Sequence, residues 1–186
     1  MKINFPLLAL AVGAFAIGTT EFSPMGFLPE IANDLSVSIP QAGLLISAYA
    51  VGVMIGAPLM TLWLARFPKK TALILLMAIF TIGNVLATVA PDYMSLMGAR
   101  LITSLNHGAF FGLGSVVAAS VVPKDKQASA VAMMFMGLTI ANIGGVPLAT
   151  WLSQNTSWRM AFAAISILGI ITMLALWKAL PQSRCG

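Results

Sequence analysis

The chain has 186 residues, of which 59% are apolar and only 8% charged, with a net charge of +5. A soluble domain carries about 25% charged residues to cover its surface, so this composition excludes an ordinary water-soluble globule and points to lipid as the main solvent. The basic excess is no nucleic-acid footprint, which would gather its bases on one soluble face; here they stand in short clusters between apolar runs.

Six long apolar segments follow one another, roughly Phe5–Leu28, Gln41–Leu64, Lys70–Ala90, Tyr93–Val122, Gln127–Leu152 and Trp158–Leu180. At 1.5 Å per residue, about 20 helical residues cross a 30 Å hydrocarbon layer. Helix is the required conformation, because lipid offers no partner to open backbone groups. The longer segments must tilt or protrude. The expected fold is therefore an all-α membrane protein, a single six-helix transmembrane domain over residues 1–186. The first segment begins after Lys2 and outruns a signal-peptide core of about 7–15 residues, so it reads as a retained signal anchor. Pro29 to Pro40, which holds Glu30 and Asp34, is the longest connection. Phe67-Pro68, Pro91-Asp92, Pro123–Lys126 and Ser153–Thr156 separate the later segments, and Pro181 ends the last.

Alternation of six helices puts Lys2, Arg66, Lys69, Lys70, Lys124, Lys126, Lys178 and Arg184 on one side. The other side holds Glu30, Asp34 and Asp92, with Arg159 as its base. With eight of the ten bases on one side, the positive-inside rule sets both termini in the cytoplasm. Small residues recur four apart at Ala48, Gly52 and Gly56, at Gly108 and Gly112, and at Gly137, Ala141 and Gly145. Such stripes let helix backbones approach closely in lipid.

Few ionisable groups lie inside the segments, and each is costly, about 2.5–3.5 kcal/mol on insertion scales. Glu21 in the first segment and Arg100 in the fourth both lie roughly seven residues below the outer surface, about 10 Å deep. An ion pair between them is expected, one whose state would govern the ionisation of Glu21. His107 lies deeper on the fourth segment beside Asn106, where its chemistry suits either packing or proton relay. Tyr49, Asn106 and Asn142 are candidates for a polar substrate cavity; Asn84 reads as structural. The single cysteine, Cys185, permits no intrachain disulfide and no Cys/His metal site. The chain shows no Walker loop for ATP and no G-x-S-x-G nucleophile elbow, so neither a metal nor a cofactor is expected.

Several motifs together carry a resemblance. They are Gly18-Thr-Thr-Glu21-Phe-Ser-Pro-Met-Gly26-Phe-Leu-Pro29, then Ala42-Gly-Leu-Leu-Ile-Ser-Ala-Tyr49-Ala-Val-Gly52 with Gly56-Ala-Pro58. They continue with Arg100, Asn106-His107-Gly108-Ala-Phe-Phe-Gly112, Ala141-Asn142, Gly145-Val-Pro147, and Trp158-Arg159 with Phe162. In these the chain resembles the drug:proton antiporter branch of the major facilitator superfamily, within it the arabinose-efflux-permease-like bacterial inner-membrane transporters. The resemblance implies one half of a major facilitator fold with 3+3 inverted repeats, the N-terminal six helices of a twelve-helix protein. It implies proton-coupled efflux of a sugar, drug or metabolite, with Glu21, Arg100 and His107 in the coupling. Gly137, Gly145 and Pro147 would belong to the antiporter motif, and Arg66, Lys69 and Lys70 to a cytoplasmic gate. Thr61, Ala65 and Pro68 stand where that gate motif has glycine, aspartate and glycine. The implied partners are lipid, protons, a small-molecule substrate and a second six-helix half, either C-terminal or a second copy. An inactive truncated fragment and a non-transport scaffold or partner subunit are the other readings open at this point; a membrane enzyme would require a clustered catalytic constellation, which the sequence does not show.

Overall fold

The computed structural model describes residues 4–181; Lys2, Arg184 and Cys185 lie outside them. The chain is helical throughout, in the order α1 (Phe5–Gly26), α2 (Leu28–Asp34), α3 (Ile39–Leu64), α4 (Lys69–Val89), α5 (Tyr93–Ser104), α6 (His107–Ser120), α7 (Gln127–Ile140), α8 (Val146–Asn155) and α9 (Trp158–Ala179). Six spans are long and apolar enough to cross a membrane: α1, α3, α4, α5 with α6, α7 with α8, and α9.

The ends of the helices are set by local chemistry. Asn4 caps α1 by accepting from the Leu7 N–H, and its amide donates to the Val121 carbonyl. Ser38 and Gln41 form a reciprocal capping box at the start of α3. Asp92 caps α5 by accepting the Ser95 N–H at 2.8 Å. That backbone hydrogen bond holds the Asp92 carboxyl below the usual carboxylate range. The cap is therefore complete at neutral pH and fails only as pH falls through the lowered pKa.

Three features differ from the sequence expectation. The Pro29–Pro40 connection is not open loop: α2 folds within it and docks through Asp34. The Trp158 indole donates to Asp34 Oδ2 at 3.0 Å, and Arg159 approaches the same oxygen at 3.5 Å. The fourth segment is not one helix. It breaks at Leu105–Asn106, where the amides turn to carbonyls three residues back, Ile102 and Thr103. The fifth segment carries a π-helical turn over Ala141–Gly145, just before Pro147. Proline has no N–H to give the carbonyl four residues earlier, and the chain widens locally to accommodate it.

Packing follows a two-fold pattern. The span of α7 and α8 lies along α1, α3 lies along the span of α5 and α6, and α4 packs along α9. Exchanging each of the first three spans with the one three later maps the first two contacts onto each other and the third onto itself. Equivalent spans run in opposite directions, so the two three-helix units are inverted repeats. The larger core gathers Leu10, Ala14, Ile17, Leu76, Phe80, Phe110 and Met134. A smaller one, around Phe27, Ile31, Leu96, Trp158 and Phe162, closes the other end. Several hydroxyls within the spans are satisfied locally: Thr81, Thr103, Ser166 and Thr172 each donate to the carbonyl four residues earlier, whereas the buried Ser23 and Ser153 hydroxyls have no partner among the described residues.

The small-residue stripes supply several of the close approaches, beside others at Gly13, Gly18, Gly83 and Gly169. Gly137 and Gly145 lie against α1, Gly52 against Ser104, and Gly108 against Ala57. Gly112 is the exception. It faces open space, so it makes no helix contact among the described residues.

Candidate functional site

The ionisable side chains of three spans meet inside the bundle. Glu21 on α1 is partly exposed, and its Oε2 lies 3.7 Å from His107 Nε2 on α6. That separation suits an ion pair when the imidazole is protonated and exceeds hydrogen-bond range when it is not. The other ring nitrogen, Nδ1, lies 3.2 Å from the Tyr49 hydroxyl on α3. The Tyr49 ring in turn lies under the Arg100 guanidinium, 4.3 Å from its centroid. Glu21, His107, Tyr49 and Arg100 thus form one continuous line across spans one, two and four.

The expected Glu21–Arg100 ion pair is not present among the described residues. Matched depth brings the two side chains to the same level, but azimuth about each helix decides the partners. Arg100 is buried and turns its Nη1 to the Thr20 carbonyl at 2.8 Å, while Glu21 turns to His107.

The reason for Arg100's choice lies four residues beyond Thr20. In a continuous helix the carbonyl of Thr20 would accept the N–H of residue 24. Residue 24 is proline, inside α1, and has no N–H to give. A carbonyl left open at membrane depth is costly, and Arg100 supplies the donor from a neighbouring helix. Thr20 is fixed from a third side, since its hydroxyl donates to Asn84 Oδ1 at 2.8 Å and the Asn84 amide donates to the Phe80 carbonyl. The role of Arg100 against Thr20 and Pro24 was not assigned from sequence, although a proline four residues after a threonine in an apolar helix was the available signal. Asn84, read as structural from sequence, spends its side chain on these two hydrogen bonds.

This arrangement makes a thermodynamic prediction. Arg100→Met should destabilise the detergent-solubilised protein by about 1–3 kcal/mol, the cost of an orphaned buried carbonyl. Adding Pro24→Ala should recover much of that loss, because residue 24 then carries its own N–H for Thr20. A double-mutant cycle read by thermal unfolding checks this. Equal effects of Arg100→Met in both backgrounds would show that Arg100 does not serve the proline gap.

The remaining candidates divide. Tyr49 is buried in the line just described. Asn106 is not at an open cavity wall; it is fully buried at the α5–α6 break and donates to the Thr103 carbonyl at 2.9 Å. Asn142 lies exposed on the π turn, with its amide on the Leu138 carbonyl. Gly137 and Gly145 press on α1, and Pro147 is exposed at the start of α8. Arg66 folds back onto Trp63, bonding its carbonyl and lying over its ring, and also over Phe67. Lys69 is exposed, and Lys70 donates to the Leu180 carbonyl at 2.7 Å. Sequence reasoning passed over Phe111 and Phe135, which stack at 5.0 Å beside His107 and extend the site as an aromatic wall.

Comparison with known proteins agrees with this architecture. The family profile of the Major Facilitator Superfamily matches residues 10–184. The chain is 70% identical over its whole length to the inner membrane transport protein YdhP of Escherichia coli K12, covering 48% of that protein. It is 34% identical over 96% of its length to a chloramphenicol resistance protein of Streptomyces lividans, covering 46% of it. It is 31% identical over 95% of its length to a probable sugar efflux transporter of Pasteurella multocida, covering 44% of it. The chain thus spans about half the length of these relatives. Among solved structures, a bacterial homologue of the lysosomal transporter Spinster superposes with a TM-score of 0.79 at 20% identity, over 98% of this chain and 44% of the other. A D-xylose-proton symporter superposes at 0.78 and 17% identity, over 95% of this chain and 48% of the other; at such identities these two speak to the fold. Six inverted-repeat spans, a family match over residues 10–184 and a transport protein 70% identical over the whole chain together show that this chain belongs to the major facilitator superfamily.

Proposed function

We propose that this chain is the N-terminal six-helix half of a secondary active transporter that exports a small molecule in exchange for protons. The observation that carries the reading is the line Glu21–His107–Tyr49–Arg100. Ionisable groups inside a bilayer are expensive and mark transport or proton paths, and here four of them are in sequence, with the carboxylate at the less buried end. The carboxylate takes up a proton when the site opens outward and releases it when the site opens inward. His107, within reach of both Glu21 and Tyr49, exchanges the proton or holds the counter-charge. Arg100 keeps α1 in shape at its proline and sets the position of Tyr49.

The exposed faces support a second half. The spans of α3 and of α7 with α8 each bury only 22% of their most apolar window within the chain, against 39–56% for the other spans. These two are the symmetry-related pair. A second six-helix unit covering both would place the Glu21 line and the Phe111–Phe135 wall at the interface near the bilayer midplane, where such carriers bind substrate. The basic clusters support a cytoplasmic position for both termini. The names of the relatives support a drug or a sugar as substrate, carried out of the cell.

The test uses the protein with its second half in everted membrane vesicles, with chloramphenicol and a panel of free monosaccharides as probes. An acidic vesicle interior should drive accumulation of at least one probe, and a protonophore should collapse it. Accumulation that survives the protonophore would exclude proton coupling. Absence of accumulation for every probe, together with no substrate-dependent thermal shift, would favour a non-transport role.

A further inference from the structure

The end of the bundle opposite Glu21 carries a pocket outside the proton-coupling line, built in part from two lysines that the resemblance places in a cytoplasmic gate. The first turn of α4, the last turn of α6 and the end of α9 converge there around a cavity of about 300 Å³ lined by Lys69, Lys70, Val117, Ser120, Val121, Leu180 and Pro181. One wall is cationic and the other apolar. Lys70 is half-buried and spends one N–H on the Leu180 carbonyl, which leaves two donors and the full positive charge. Lys69 stands exposed at the rim. The Ser120 hydroxyl donates to the Val117 carbonyl at 2.8 Å and can accept in turn. Val117 and Val121 form the apolar side. Among the described residues no acid lines the cavity. Nearby in the chain, the α6–α7 turn holds Lys124 and Lys126 with Asp125 between them, so the local field stays positive.

Position narrows the ligand. The pocket lies where three apolar spans end, at the level of the lipid headgroups, so its occupant has an anionic head and an apolar body. A free phosphate would satisfy the lysines but leave the valine wall uncovered. Basic pockets between spans on the cytoplasmic side take anionic lipid headgroups. We infer that this pocket binds the phosphate of an anionic phospholipid, with Lys69 and Lys70 on the headgroup and the start of an acyl chain along Val117 and Val121. A bound lipid would tie the α4, α6 and α9 ends together through the same lysine that closes α9. The inference needs only a membrane-embedded bundle and does not depend on proton coupling or export.

The experiment is lipid retention by the purified full chain in detergent, read by native mass spectrometry. Phosphatidylglycerol and phosphatidylcholine with identical acyl chains are the probes. Phosphatidylglycerol should be retained over phosphatidylcholine, and added salt should weaken it by screening. Lys69→Gln should lower its affinity about fivefold, and Lys69→Gln with Lys70→Gln about thirtyfold. Lys124→Gln with Lys126→Gln should leave it near the parent value. If the double variant at 69 and 70 fails to fold, the single Lys69→Gln decides, since that side chain is exposed. Equal retention of both lipids, retention unchanged in Lys69→Gln, or displacement of phosphatidylglycerol by an equal concentration of inorganic phosphate would each overturn the assignment.

Discussion

Glu21→Gln, made in the protein with its second half, is expected to abolish gradient-driven accumulation while leaving the fold intact. The substitution keeps the shape and the hydrogen-bonding reach of the side chain and removes the group that changes charge. Without it, a proton gradient has nothing to act on at the less buried end of the line, so accumulation should fall to the equilibrium value. Loss of a positioned proton-transfer group commonly costs on the order of a hundredfold or more in rate. Substrate exchange at equal concentrations on both sides needs no net proton movement and should persist. Thermal stability should hold or rise, because a carboxylate at membrane depth carries an insertion cost that the amide lessens. The decisive measurement is the pair of assays on one preparation. Normal accumulation by Glu21→Gln would move the coupling to His107 or elsewhere. Loss of exchange together with accumulation would make Glu21 a binding residue.

Gly137→Val should prevent stable assembly of the first and fifth spans, whereas Gly144→Val, one face round the same span, should be tolerated. A β-carbon at residue 137 runs into the carbonyl oxygen of Ala11, with the Ala11 carbonyl carbon at 2.9 Å and the Phe15 nitrogen at 3.0 Å. These are backbone atoms of α1, so no rotamer change relieves the contact, and the helices must separate. Overpacking of a well-filled contact costs about 1–3 kcal/mol for small insertions, and valine adds more bulk than one carbon. Separation of α1 from α7 would also displace Glu21 and the Thr20–Pro24 segment on the same helix. At residue 144 an added β-carbon meets nothing within 4 Å. Comparison of monodisperse yield and melting temperature for the two variants checks the prediction. Equal behaviour would mean that α1 and α7 are not in the contact described.

The two predictions show how unevenly sequence and structure contribute. Glu21 and His107 were legible as candidates, because a charge or an imidazole within an apolar segment is conspicuous against its neighbours. Their partnership was not. Depth along a helix follows from counting residues, but rotation about the axis follows from packing, and Glu21 meets His107 where depth alone suggested Arg100. Gly137 and Gly112 look alike in sequence, each in a four-residue stripe, yet one touches α1 and the other faces open space. The break at Leu105–Asn106 was hidden for a similar reason. It disturbs no hydropathy, since both halves of the span remain apolar.

Sequence by itself determined the solvent and the number of spans, because a chain with so few charges and six long apolar runs satisfies its backbone in lipid as membrane-crossing helices; the family was legible only through the resemblance of particular motifs. Sequence also determined which residues were costly enough to need a reason. Tertiary structure alone decided what those residues touch. Arg100 closes the gap left by Pro24 across two helices, a pairing between residues far apart in the chain, and only the packed arrangement of the spans brings a donor to that one open carbonyl.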